Sequence, residues 1–309
     1  MGGITLFEGK PIEKLIEVIS QGIGTLYRPR AIRKEADAEA YKLQVIEKAK
    51  TIADAETKLI ELEMLHAIEK KFLHNEQRKQ NNIENIIEVA VEQIEKDSEI
   101  SSEKVDVDWT TRFFNIAEDI SNEEMQKLWG KILSGEVKKP GSFSLRTLEL
   151  LKNLSRREAE IFTKFAQLNV KHSRGHFVPY LDQNTFEDYF DIPYTEILLM
   201  YEVGLLASGP NIGLHFPALE FPAISLYELG ETGVQVTTNA HSEPNSISIL
   251  TLTQIGMELA TLVVFERNEK NIKYLCKVLS TPYTKIILGK LVNSEGQFKL
   301  SDVFEYRPD

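Results

Sequence analysis

Between Pro29 and Gly130 the chain contains neither glycine nor proline, although it has 17 glycines and 11 prolines in its 309 residues. Helix interiors exclude these two residues, glycine because it loses most entropy and proline because it lacks an N–H and clashes with the preceding turn. So long a gap predicts long helices. From Ala31 onward the composition is Ala, Glu, Lys, Leu and Gln, the strongest helix formers. Apolar positions Ile32, Ala36, Leu43, Ile46, Leu59, Leu62, Leu65, Ile68 and Phe72 recur at three- and four-residue steps, predicting a helix from about residue 31 to about residue 74. The polar run from Asn75 to Asn82 is expected to bend or interrupt it before a second periodic piece, Ile83 to Ile94. A helix of such length needs something against its apolar stripe, either a second copy or the rest of the chain. Self-association through residues 31–100 is the favoured expectation, an extended hairpin folded on its own body the other.

Around that stretch the chain divides into a short amphipathic helix in residues 1–30, the long helical region 31–100, a helical bundle 101–172 and a more strand-rich module 173–309. The first helix opens at Pro11 and places Ile12, Leu15, Ile16, Ile19 and Ile23 on one face. In the bundle, Asp108 is read as a cap and Ser121 with Glu124 as a capping box. Helices are expected over 147–154 and 156–168, the second capped by Ser155 with Glu158. Past Val170, alternating runs at 176–181, 213–216, 234–238 and 246–252 read as strands. A helix near 193–202 ends at Gly204, strand-like residues follow, and Thr253 caps a returning helix, the order of a winged helix-turn-helix with an enlarged wing. A further helix near 270–279 and strands at 284–291 and 298–304 close an α+β architecture: long N-terminal helices, a central bundle and a winged-helix-like C-terminal module.

The formal charge is −11, which excludes a protein basic over its whole surface. The charge is segregated, however. Residues 127–175 carry +7, against −5 for 101–126 and −9 for 176–309. The basic block contains Arg146, Lys152, Arg156, Arg157 and Lys164, all candidate interaction residues, together with Trp129 on its apolar face. Such a cluster suits a phosphate backbone or neutralises the acidic blocks. The second reading is favoured, because no stacking aromatics are interleaved and Phe143, Phe162 and Phe165 read as core. The would-be recognition helix, residues 194–202, holds two glutamates and no basic residue, unlike a helix that reads base edges.

Catalytic and cofactor motifs are missing. His172 and His176 have metal-ligand spacing only on a helix, and Gly175 argues for a loop. Cys276, the one cysteine, falls on an apolar helix side with Ile272 and Leu279 and reads as structural. There is no phosphate-binding glycine loop and no nucleophile elbow. The expectation is no cofactor, no metal site and no catalytic residue. A single cysteine, no apolar run long enough to span a bilayer and no signal-peptide start point to the cytoplasm, with membrane attachment disfavoured.

The run Trp109-x-x-x-Phe113-Phe114, then Leu128-Trp129-x-x-Ile132-Leu133-x-Gly135-Glu136 and Pro140-Gly141-Ser142-Phe143-Ser144-x-Arg146, resembles a bacterial family of unknown function catalogued as twenty-eight-oh-six. The segments Gly22–Pro29 and Glu35–Ala40 are similar to it as well. The Leu128–Leu133 region with the leucine-rich helices after it more distantly resembles the alpha-type abortive-infection proteins of phage defence. Within the motif, Gly135 suits a helix end, Ser144 a cap, and Arg146 either pairs with Glu136 or faces a ligand. Together these readings give a non-enzymatic bacterial scaffold, oligomeric and offering its C-terminal module to a protein partner, with a setting in phage defence implied by the second resemblance. The alternative is a nucleic-acid-binding regulator using residues 127–175.

Overall fold

The computed structural model describes residues 10–24, 61–95, 101–207, 213–239, 243–294 and 297–306. The predicted helical segment 31–60 lies outside the described residues. The chain forms two compact units, residues 1–148 and 149–309.

The first unit is helical: α1 (Lys10–Ile23), α2 (Glu61–Glu95), α3 (Val107–Ala117), α4 (Glu123–Lys138) and the start of α5 (Leu145–Asn153). The predicted face of α1 is the one that packs, with Ile12, Leu15 and Ile19 buried and Val18 beside them. α2 is a single helix of 35 residues and runs unbroken through the polar run that was expected to interrupt it. Three of those residues, Arg78, Lys79 and Asn82, face polar partners. The Asn82 amide donates to Glu118 O at 2.9 Å and to Ser121 Oγ at 3.1 Å, and its carbonyl accepts from Gln126 Nε2 at 3.2 Å. Arg78 pairs with Asp119 at 3.2 Å, and Lys79 pairs with Glu118. Further along, Ile86, Ile87, Ala90 and Ile94 are buried against the neighbouring helices.

The caps of α3 and α4 sit close to, but not at, the predicted residues. Asp106 rather than Asp108 caps α3, accepting from Trp109 N. Asn122 rather than Ser121 caps α4, accepting from Met125 N, because the Ser121 hydroxyl is turned to Asn82 and Arg78. Nor does α4 end at Gly135. It continues to Lys138, and Gly135 is small because the Phe143 ring lies where a Cβ would be.

The second unit holds α6 (Arg156–Ala166), β1 (Val170–His172), β2 (Gly175–Pro179), α7 (Gln183–Phe190), α8 (Tyr194–Val203), β3 (Gly213–Phe216), β4 (Ala223–Leu229), β5 (Thr232–Thr238), β6 (Asn245–Leu250), α9 (Gln254–Ala260), α10 (Glu269–Leu279), β7 (Thr284–Ser294) and β8 (Gln297–Glu305). The eight strands make one sheet in the order β3-β6-β2-β1-β4-β5-β7-β8, with every pairing antiparallel. The fold class is therefore α+β. Ser155 and Glu158 form the predicted capping box on α6. α7, the turn Asp191-Ile192-Pro193 and α8 make a helix-turn-helix. Gly204 ends α8 with φ of 83°, Leu206 bridges antiparallel to Leu252, and Thr253 caps α9. Gly256 lets α9 approach this bridge: a Cβ there would lie 2.3 Å from Leu205 O. Beneath the helices Phe165, Phe186 and Tyr274 form an aromatic core, and the Tyr274 hydroxyl accepts from Leu181 N at 3.0 Å.

Candidate functional site

The residues of the shared motif close on themselves. Phe113 lies between the two tryptophans, 5.0 Å from Trp109 and 5.1 Å from Trp129 between ring centroids. The Trp109 indole N–H donates to Phe143 O at 2.7 Å. Buried Glu136 accepts from Gly141 N at 2.6 Å and from Phe143 N at 3.0 Å, so its carboxylate fastens the Pro140–Phe143 turn to α4. Ser144 caps α5 through Thr147 N at 3.3 Å. Trp129 is wholly buried, so it is core and offers no contact surface; its indole N–H finds no acceptor among the described residues. Arg146 does not pair with Glu136. It is exposed, with no ion-pair partner among the described residues, because the carboxylate is already occupied by the turn.

The remaining candidates lie in the second unit. Lys152 and Arg157 are exposed, and Arg156 pairs with Glu160 one turn on at 2.9 Å, an exposed pair of small energetic weight. Lys164 donates to Asp191 O at 2.9 Å and lies 3.8 Å from the Glu196 carboxylate. Other cations of the block are also engaged: Lys138 with Gln93 O, Lys171 with Glu228, and Arg174 with His215 O and the Phe216 ring. A good part of the +7 is thus spent inside the chain.

His172 and His176 lie on opposite faces of the β1–β2 hairpin, since His172 pairs with Gly175 and His176 with Lys171. They do not share a metal. His172 is buried and stacked on Tyr227 at 4.5 Å; burial, then the Arg174 charge, hold its pKa below the ordinary value. The Cys276 thiol is buried, and burial pushes its pKa up to about 12, the opposite of an activated nucleophile.

A polar groove of about 430 Å3 runs beside α2, lined by His74, Gln77, Arg78, Asn81, Asn82 and Ser121. The hydrogen bonds of Asn82 and Arg78 described above make it part of the seam that joins α2 to the α3–α4 turn.

Several apolar side chains of the second unit stand exposed, Phe221, Ile224 and Val264 among them, and Tyr194 and Leu198 do so together on α8. This helix is apolar on all sides, which ordinarily marks a helix buried all round. One side, Ile197 and Met200, is buried. The other is open: Tyr194 is 52% exposed, Leu198 is 45% exposed, and Tyr201 and Leu199 flank them half-buried. Leu181, just before α7, is exposed too. Neither α7 nor β1 nor β4 was expected from the sequence. Asp182, which caps α7 by accepting from Thr185 N, was the available signal for that helix.

Fold and surface together define a class, an α+β protein with a helical first unit and a helix-turn-helix built onto an antiparallel sheet in the second. The chain belongs to the DUF2806 family of proteins of unknown function, whose family profile matches residues 66–276. No curated protein and no solved structure matches it, so the looser likeness to abortive-infection proteins gains no support there.

Proposed function

We propose that this protein works by binding other proteins rather than by catalysis, self-associating through its helical region 31–100 and presenting its second unit to a partner. The observation that carries this reading is α8, apolar all round yet with Tyr194 and Leu198 open to solvent. Two apolar side chains that share one open helix face support a docking surface. The assembly half is supported by α2. Ile68 and Phe72 stand eighteen residues, about five turns, before Ile86 and Ala90, so they continue the stripe that is buried further along, and they remain exposed. Light scattering on the full chain tests this half. We expect an oligomer, with dissociation in an Ile68→Glu, Phe72→Glu variant; a strict monomer at every concentration refutes self-association. A phage-defence setting rests on the sequence resemblance alone, and loss of protection in cells challenged with phage would be its direct assay.

The second reading, a nucleic-acid-binding regulator, is favoured by Arg146, Lys152 and Arg157, which are exposed and have no ion-pair partner among the described residues. It predicts binding that weakens steeply with salt and drops on Arg156→Glu with Arg157→Glu. A chain that retains no nucleic acid at low salt ends it.

A further inference from the structure

The open face of α8 has a definite electrostatic setting. Residues 180–204, which hold the whole helix-turn-helix, carry six carboxylates and no lysine or arginine. One of these, Glu196, is met by Lys164, and Asp182 is used to cap α7. Asp188, Asp191 and Glu202 are left exposed. Tyr194, Leu198 and Glu202 follow one another at four-residue steps and share one face of α8, while Asp191 precedes the helix at its other end. An apolar strip thus runs between an acid at each end.

Resting on the protein-binding reading above, we propose that this face holds a cationic amphipathic helix of a partner protein. The partner's apolar side chains lie on Tyr194, Leu198 and Tyr201, and its lysines or arginines lie toward Asp191 and Glu202. The sign of the rim decides among the possible occupants. A DNA backbone and an anionic membrane are both repelled by it. A second copy docking face to face sets the same acids against each other, because such an interface is self-complementary. A basic helix gains the burial of the strip and meets a carboxylate at each end, with Lys164 beside Asp191 the nearby cation it must clear; this is the helix-in-groove mode of recognition.

The test is fluorescence anisotropy on the full chain with three labelled 18-residue helical peptides of Leu/Lys, Leu/Gln and Leu/Glu pattern, and a 20-base-pair duplex. We expect the Leu/Lys peptide to bind most tightly and to weaken as salt is raised. We expect at least a tenfold loss in a Tyr194→Ser, Leu198→Ser variant and in an Asp191→Asn, Glu202→Lys variant, with no change in a Glu220→Lys control on another exposed loop. All five substituted positions are exposed, and circular dichroism checks the fold of each variant. Equal Leu/Lys binding by every variant means attraction to net charge alone and overturns the site. A Leu/Gln peptide bound as tightly as Leu/Lys, and lost in the Tyr194→Ser, Leu198→Ser variant, overturns the cationic class while leaving a protein-docking face. Binding of no peptide overturns both, and tighter binding of the duplex than of any peptide replaces them with the nucleic-acid reading.

Discussion

Gly130 stands in the middle of α4, and replacing it with alanine sets two effects of opposite sign against each other. In an open helix the substitution is stabilising, because alanine is better than glycine by about 1 kcal/mol. Here α4 crosses α2 at this point. A Cβ on Gly130 would lie 2.6 Å from both Cβ and Cγ1 of Val89 and 2.8 Å from Ile86 O, where ordinary contact begins near 3.4 Å. The carbonyl belongs to the backbone of α2 and cannot rotate away, so the helices must part. Overpacking of this kind costs ~1–3 kcal/mol, and the fixed carbonyl places it toward the upper end. After subtracting the propensity gain, Gly130→Ala is expected to destabilise the first unit by about 2 kcal/mol. At the ~2–4 °C per kcal/mol typical of a domain this size, the midpoint falls by ~4–8 °C. Trp109 and Trp129, the two tryptophans of the chain, both lie in this unit, so tryptophan fluorescence during heating reports it selectively. Val89→Ala added to Gly130→Ala should recover part of the loss by removing one of the clashing atoms. An unchanged or raised midpoint for Gly130→Ala would refute the crossing and return the residue to an ordinary helical glycine.

Glu136→Ala leaves the buried N–H of Phe143 and the N–H of Gly141 without their acceptor. Since hydrogen bonds to charged groups are worth ~1.5–3 kcal/mol each, we expect a loss of about 3 kcal/mol in the same fluorescence assay, with Glu136→Gln keeping roughly half; a loss under 1 kcal/mol counts against the clasp. His172 and His176 both have folded-state pKa values held below 6.5, by burial first and then by Arg174 and Lys171 respectively. Well above pH 6.5 both states are neutral and stability is full; as the pH falls through 6.5 the unfolded chain protonates first, so the melting midpoint should fall, and less so in His172→Phe, which keeps the stack on Tyr227. Cys276, buried and with its thiol raised to about 12, should resist alkylation at pH 8 in the native protein and react on unfolding; rapid native labelling would show the site is not closed.

What the sequence made legible follows from how local each signal is. The capping box at Ser155 and Glu158, the Gly204 stop and the Thr253 cap each make their capping hydrogen bond within four residues, although the Thr253 hydroxyl also donates to Gly204 O, and the structure has them where local chemistry requires. Ser121 misled because its hydroxyl is spent on Asn82 and Arg78, some forty residues away, and Asn122 took the cap instead. The polar run 75–82 misled for the same reason: its Arg78, Lys79 and Asn82 face the α3–α4 turn, a partner no window on the sequence contains. Gly130 bounds the breaker-free stretch yet marks a helix crossing and not a helix end, since a missing Cβ serves both purposes and only the neighbour at 2.6 Å tells them apart.

α8 takes this logic one step further. From sequence it has leucines, an isoleucine, a methionine and two tyrosines distributed all round, which any pattern rule assigns to a buried helix. The absence of arginine and lysine already argued against a DNA-reading role. What sequence does not contain is which half of an all-apolar helix its own unit covers. The structure covers Ile197 and Met200 and leaves Tyr194 and Leu198 open. Solvation of the open half is a standing cost of roughly 25 cal/mol for each Å2 of apolar surface left in water. A polar residue at Leu198 would remove that cost without disturbing the buried side. Under the docking proposal Leu198 is retained for the partner that covers it, and the acids at either end set the charge that partner would carry.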